Sequence, residues 1–219
     1  MTEASFSLRY DGGHAADHRI DMRTLGQSLI GVEKIVSDSL IVTLEGRLPK
    51  RNERRDIEIL VETPRAHCVD IWAIIAIAPG VLPFAQELLR DYTKDYVSTL
   101  LAHVLSFFGG RQKEADMYFE KLMDLNNRML DAHAIDRSED RSLSLATQEN
   151  MLRLVDKLHP AARQVVAPVG PSCNELILPA PDGGLPTVID VPMADAIRAK
   201  EPVEVGDMIR MLVHVDTMS

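Results

Sequence analysis

Cysteine is scarce in this sequence: in 219 residues there are two, Cys68 and Cys173, far apart. Two isolated thiols form neither the disulfide framework of a small secreted domain nor the paired spacing of a structural zinc site. The opening stretch "MTEASFSLRY" also lacks the charged and then apolar regions of a signal peptide. These absences favour a reducing compartment, and we expect a cytoplasmic location.

Positive charge is also in short supply, with 24 Lys and Arg against 33 Asp and Glu and a net charge of −9. Such a chain is repelled by nucleic acid and by anionic membranes, so we do not expect a nucleic-acid partner. One local exception is a basic loop that carries Arg47, Lys50, Arg51, Arg54 and Arg55. These side chains are candidates for phosphate contact. No aromatic residue is interleaved for base stacking, which favours a solvated loop instead.

Long apolar runs are missing as well. The uncharged stretch 71–85, "IWAIIAIAPGVLPFA", is shorter than the roughly 20 residues that a membrane-spanning helix needs, and prolines interrupt it. It predicts either a buried strand leading into a buried helix or the inserting segment of a membrane-associated effector. The short length of this stretch favours the buried strand and helix.

The familiar catalytic motifs are absent, including glycine-rich phosphate loops and the G-x-S-x-G nucleophile elbow. Cys173 in "GPSC" could be a nucleophile with His159 as its base. Nothing in the sequence brings a histidine close to it, however, and an inert thiol is favoured. We expect no cofactor, and the sequence leans towards a protein that is not an enzyme.

Metal-ligating residue types do gather in "DGGHAADHRID". His14 and His18 are four residues apart, so a helix would place both rings on one face, and Asp21 could add an oxygen ligand. A metal-assisted hydrolase is the hypothesis that follows. The glycine pair and the helical pattern after it instead favour a polar turn in which Asp21 caps a helix.

Strand and helix patterns are clear along the first two-thirds of the chain. "SFSLRY" alternates like a half-buried strand, an apolar stripe from Asp21 to Gly46 predicts a long helix, and 56–62 and 68–77 predict a hairpin. Helical spacing resumes over 81–108 and in "KEADMYFEKLMDLNNRMLDAHA". The polar "DRSEDRSLSLA" predicts a loop or frayed joint, followed by a short helix capped by Thr147.

From about residue 163 the pattern changes to short β-like runs, "VVAPVG", "NELILP", "TVIDV" and "MIRMLVHV", around one short helix, "MADAIRAK". The prediction is an α+β fold in two parts. Residues 1–162 form a strand–helix–β-hairpin unit with amphipathic helices packed on it, and 163–219 form a small β-rich module. We expect that module to be incomplete or to borrow a strand from a partner. Exposed sheet edges favour a homo-oligomer.

Several stretches resemble a loosely defined group of uncharacterised bacterial proteins associated with prophages and mobile elements: "FSLRYDGG", "HRIDMRTLGQSLIGVEKI", "APGVLPFAQELL", "GGRQKEAD" and "APVGPSC". The resemblance implies an architecture, a genomic setting and relatives that continue beyond this chain's end, but no activity. We therefore expect a non-enzymatic interaction or assembly protein of a prophage or mobile element, with phage–host conflict as one setting. A membrane effector through 71–85 and a hydrolase at His14 and His18 are the alternatives.

Overall fold

The structure, a computed structural model, describes residues 4–50, 57–62, 69–77, 83–132, 137–180 and 185–199. They form an α+β fold. In chain order its elements are β1 (Ala4–Asp11), a 3₁₀ turn (Gly13–Asp17), α1 (Met22–Glu45), β2 (Ile57–Val61), β3 (Val69–Ile77), α2 (Pro83–Phe108), α3 (Gln112–Ala132), α4 (Arg137–Lys157), α5 (His159–Val165), β4 (Glu175–Leu178), β5 (Thr187–Asp190) and α6 (Val191–Arg198).

The alternation in β1 decides which face of the sheet is buried. Phe6, Leu8 and Tyr10 are almost completely buried, whereas Ser5 and Arg9, which alternate with them along the strand, are exposed. β1 is the central strand of an antiparallel sheet with the order β2-β3-β1-β4-β5. Alternate side chains of a strand share a face, so these buried side chains all lie on one side of the sheet. The helices cover that side. On the other side the described side chains of β1 and β3 are half-buried or exposed.

Local signals fix both ends of α1, as the sequence predicts. The Asp21 carboxylate accepts a hydrogen bond from the backbone N–H of Thr24 at 2.9 Å, which is the geometry of an N-cap. At the other end Gly46 takes the left-handed conformation with φ 61° and donates its N–H to the carbonyl of Val42. Between these ends the second half of the helix is buried on every side.

The two helices predicted over 81–108 and in "KEADMYFEKLMDLNNRMLDAHA" are confirmed, and they form a helical hairpin. α2 ends at Phe108, the chain reverses through Gly109 and Gly110, and α3 begins at Gln112 and packs along α2. Gly110 has φ 75°, a conformation that a side chain disfavours. A Cβ on Gly109 would lie 2.7 Å from Met193 Cγ, so the turn also lets α6 approach.

The start of α4 corrects one local prediction. The polar stretch expected to be a loop is helical from Arg137 onward, and Thr147 is a buried residue inside the helix instead of its cap. Its hydroxyl donates to the carbonyl of Val42 at 3.4 Å. Once Met151 and Leu154 anchor the helix in the core, extending it costs little, because elongation is easier than nucleation.

The β-like run predicted at "VVAPVG" is also wrong. Val165 ends α5, and the residues after it form turns, because a proline at 168 cannot donate to a strand ladder. β4, β5 and α6 occur where the sequence predicts them. The "MIRMLVHV" run lies outside the described residues.

Residues on both sides of the predicted boundary after 162 share one sheet. The boundary falls within α5, which packs against α1. Beyond it, β4 pairs with β1, with Tyr10 opposite Leu176, and β5 pairs with β4. The part of the sheet that follows residue 162 therefore extends the sheet that β1 to β3 begin.

Candidate interaction surface

β2 forms one edge of the sheet. It pairs with β3 on one side, and in the described part of the chain no strand pairs with its other side. Edge strands usually carry lysine, proline or a bulge, which prevent another strand from adding to them. The sequence of β2, "IEILV", has neither lysine nor proline, and Glu58 is its one charged residue. Among the described residues nothing pairs with the outer backbone groups of β2, so they are open to pairing with a further strand.

Apolar side chains are exposed on both faces of this edge. Leu60 lies on the open face of the sheet, opposite Ile74, and is 47% exposed. Val61 lies on the helix-facing side, opposite Ala73, and is 48% exposed. Large apolar side chains that group together on a surface are typical of a protein contact.

The helix-facing side continues into an apolar groove. A cavity of about 230 Å³ lies between α1 and strands β1 to β3, with Ile59 and Val61 on one wall and Leu29 and Ile30 on the other. Ile30 is 58% exposed. Glu33 also lines the groove, and its carboxylate accepts a hydrogen bond from the Ser37 hydroxyl at 2.9 Å. We call Ile30, Ile59, Leu60 and Val61 the β2 surface.

The turn before α1 brings its candidate metal ligands to the surface. His14 lies in the 3₁₀ turn, His18 follows it in the left-handed conformation, and both are exposed. Asp21 caps α1, and the hydrogen bond from Thr24 holds the pKa of its carboxyl below the usual range. Among the described residues, no group of three or more His, Cys, Asp or Glu is arranged to hold a metal. A metal site at His14, His18 and Asp21 stays a prediction.

Contacts with a distant segment explain the composition of this turn. The N–H of Ala15 donates to the carbonyl of Ser172 at 3.2 Å. Gly12 has φ 72°, and a Cβ there would lie 2.6 Å from the Asn174 side chain. Gly13 would meet the Ser172 carbonyl at 3.1 Å. The glycine pair therefore allows the turn to pack on residues 172–174.

The basic loop lies only partly within the described residues. Arg47 forms an ion pair with Glu45 at 2.5 Å, and Lys50 is exposed. Arg51, Arg54 and Arg55 lie outside the described residues. Phosphate contact by these five side chains stays a prediction.

Cys173 is buried, with 1% of its surface exposed, and burial raises the pKa of its thiol to about 11. It is therefore protonated at neutral pH, and a protonated thiol is a poor nucleophile. His159 has other partners: its Nε2 lies 2.9 Å from the carbonyl of Ile197, and its ring stacks on Phe108 at 4.7 Å. These contacts support the inert-thiol interpretation.

The apolar segment 71–85 supplies most of β3. From residue 71 to 75 its side chains alternate between buried and half-buried positions, as expected for a strand with one covered face. Residues 78–82 lie outside the described part of the chain. No helix in the described ranges is both long and apolar enough to cross a membrane.

The sequence did not predict the β2 surface. The alternation of Ile57, Ile59 and Val61 predicts a strand with one inward face, but not whether another strand lies beside it. Strand order depends on long-range pairing, so only the structure identifies β2 as an edge.

Comparison with known proteins gives a family but no activity. Searches of curated proteins and of solved structures each found no significant match to this chain. A family model described as a domain of unknown function, DUF7946, matches residues 6–198. This match covers most of β1 and all of β2 to β5, and it lies on both sides of residue 162. Because the match covers most of its length, the chain belongs to the DUF7946 family, whose function is not known.

Proposed function

We propose that this protein is a non-enzymatic interaction and assembly protein that forms a homodimer through the β2 surface. The observation that carries the proposal is the combination of an unprotected edge strand with exposed apolar side chains on both of its faces. Burying one such side chain completely contributes about 1.5–3 kcal/mol, and strand addition would also satisfy the free backbone groups of the edge.

A second copy suits this surface for two reasons. An antiparallel pair of identical edge strands is related by a two-fold axis, so the same residues serve both sides of the contact. The chain also has a net charge of −9, and two copies repel each other wherever acidic surfaces meet. The four side chains of the β2 surface are apolar, which supports an approach of two copies there even though Glu58 on β2 and Glu33 in the groove lie beside them.

The setting that we propose is the cytoplasm of a bacterium that carries a prophage or another mobile element. Support for it comes from the stretches that resemble proteins of such elements. In that setting a dimer without catalytic chemistry acts by contact, and phage–host conflict is one process that uses such proteins. Identifying the neighbouring genes would test this setting independently of the dimer.

Light scattering after gel filtration tests the dimer. We expect the wild-type mass to be twice that of the chain and to fall towards one chain on dilution. Leu60→Lys and Val61→Lys should shift the protein to monomer, because each places a cation in the contact. Leu152→Lys is the matched control, since Leu152 on α4 is 53% exposed and lies outside the β2 surface.

Circular dichroism should show that all three variants keep the wild-type fold. A wild-type protein that stays monomeric at high concentration would contradict the proposal. So would β2 variants that remain folded and dimeric.

A further inference from the structure

A larger cavity lies near the other end of the sheet, where β5 is the last strand. It has a volume of about 550 Å³ and is lined by α2, α3 and the segments on either side of the β4–β5 connection. This volume lies within the range of small-molecule sites. None of the residues of the β2 surface lines it, so it is independent of the proposed dimer contact.

Thr99 of α2 lines this cavity and carries an unsatisfied hydroxyl. The residue is 1% exposed, and its Oγ1 has no hydrogen-bond partner among the described residues. A threonine in a helix commonly bonds back to a carbonyl one turn earlier, but Thr99 does not. Leaving a buried hydroxyl unpaired is unfavourable. A ligand oxygen that reached Thr99 would remove this penalty.

Two of the other hydroxyls that line the cavity are already satisfied. Tyr118 and Thr187 bond each other, with their oxygens 2.7 Å apart. Because a threonine hydroxyl both donates and accepts, Thr99 can pair with an alcohol or with a carbonyl oxygen. Ser98 also lines the cavity, but among the described lining residues Thr99 is the one whose side-chain oxygen is both fully buried and unpaired.

The mouth of the cavity carries exposed apolar side chains. Met117 on α3 is 53% exposed, and Leu185 before β5 is 91% exposed. Ala102 and Val188 add further apolar surface to the lining. Large apolar side chains are costly to leave in water, and a mainly apolar ligand would cover them.

The charged residues at the cavity do not favour an ionic ligand. Arg111 lies 3.6 Å from Glu114 and 3.9 Å from Asp190, so its charge is already matched. Lys121 also lines the cavity and has its own interaction. An anionic ligand would have to compete with the two carboxylates for Arg111. A neutral molecule avoids that competition.

We propose that this cavity binds a neutral, mainly apolar small molecule that hydrogen-bonds to Thr99 through a single alcohol or carbonyl oxygen. The apolar body of the ligand would lie against Met117 and Leu185, and its oxygen would point towards α2. Linear and alicyclic alcohols, ketones and amides belong to this class.

Pyrene fluorescence tests the cavity with a neutral probe that cannot form hydrogen bonds. The pyrene spectrum should report an apolar site in the wild type, and Met117→Glu should abolish that signal by placing a charge at the mouth. Leu152→Glu is the matched control, because Leu152 is also 53% exposed but lies on α4. Val61→Lys should keep the signal, which separates this cavity from the β2 groove.

Displacement of pyrene by hexan-1-ol tests the role of Thr99. Hexan-1-ol should displace pyrene, and hexanoate should need at least about a tenfold higher concentration because it is charged. Thr99→Val keeps the shape and removes the hydroxyl. It should weaken hexan-1-ol about fivefold, the loss expected for one neutral hydrogen bond, while pyrene binding stays unchanged.

Three results would overturn this proposal. The first is an equal pyrene signal in the wild type and Met117→Glu. The second is equal displacement by hexan-1-ol in the wild type and Thr99→Val. The third is a large fall in the melting temperature of ligand-free Thr99→Val, because it would mean that the hydroxyl already has a partner within the protein.

Discussion

The hydroxyl of Tyr10 on β1 lies 2.8 Å from the hydroxyl of Ser28 on α1, and both residues are fully buried. Ser28 Oγ also lies 2.6 Å from the carbonyl of Val165 at the end of α5. A carbonyl can only accept, so Ser28 donates to Val165 and accepts from Tyr10. This short chain of hydrogen bonds joins the central strand, the buried face of α1 and a segment more than a hundred residues away.

Removing Ser28 should therefore cost more than removing the Tyr10 hydroxyl. Ser28→Ala leaves two buried groups unpaired, and we expect a loss of about 1–3 kcal/mol in the free energy of unfolding. Tyr10→Phe leaves Ser28 with its bond to Val165, and we expect about 1 kcal/mol. Urea unfolding of both variants measures these values. The reverse order would contradict the donor assignment.

Two glycines of α1 should respond in opposite directions to alanine. A Cβ on Gly31 would lie 2.5 Å from the carbonyl of Ala161, which is backbone of α5 and cannot move aside easily. We expect Gly31→Ala to destabilise the fold by about 1–3 kcal/mol or more. Gly26 has open space around it, and Gly26→Ala should stabilise by about 0.5–1 kcal/mol.

Chemical denaturation of the two alanine variants checks this pair. Because both substitutions are the same and lie on the same helix, helix propensity alone predicts the same sign for both. A stabilised Gly31→Ala protein would show that α1 and α5 are not in close contact.

Local chemistry explains which parts of the fold could be predicted. The alternation of β1, the Asp21 cap and the Gly46 end of α1 depend on neighbouring residues, and each was predicted correctly. The helical start of α4 was missed because its polar sequence is stabilised by a helix that is anchored further along, at Met151 and Leu154.

The two candidate sites depend on contacts between distant segments. Leu60 and Val61 are exposed because β2 has no neighbour on one side in the described chain. Thr99 lines a cavity because residues near 185 lie beside it. Neither relationship leaves a pattern within a short window of sequence, so neither could be predicted from composition or spacing.

His103 should make the fold sensitive to mild acid. Its Nδ1 donates to the carbonyl of Ala115 at 2.8 Å, and its buried Nε2 has no partner among the described residues. Burial holds the pKa of His103 below its usual value, although Asp116 nearby acts in the opposite direction. In the unfolded chain the same ring takes up a proton at about pH 6.5.

The unfolded state therefore binds more protons below about pH 6.5, and stability falls as the pH falls. The slope contributed by His103 can reach about 1.4 kcal/mol per pH unit. His103→Asn keeps a donor and removes the titration, so the slope should become shallower. Urea titrations from pH 8 to about 5 measure it. Equal slopes in both proteins would exclude His103 as the cause.

Substitutions of Asp21 distinguish its role as a helix cap from the metal-site hypothesis. Asparagine is as good an N-cap as aspartate, whereas alanine has no oxygen to accept from Thr24. Capping therefore predicts that Asp21→Asn melts close to the wild type and Asp21→Ala melts lower. The pKa of Asp21 is below its usual value, so the contribution of its charge is present above about pH 4 and is lost in stronger acid.

A metal ligand would behave differently: Asp21→Asn and a His14→Ala/His18→Ala variant would both lose bound zinc, measured by mass spectrometry of the purified protein. We expect the capping pattern, with zinc content independent of all three side chains. Zinc that is present in the wild type and missing from both variants would establish the metal site instead.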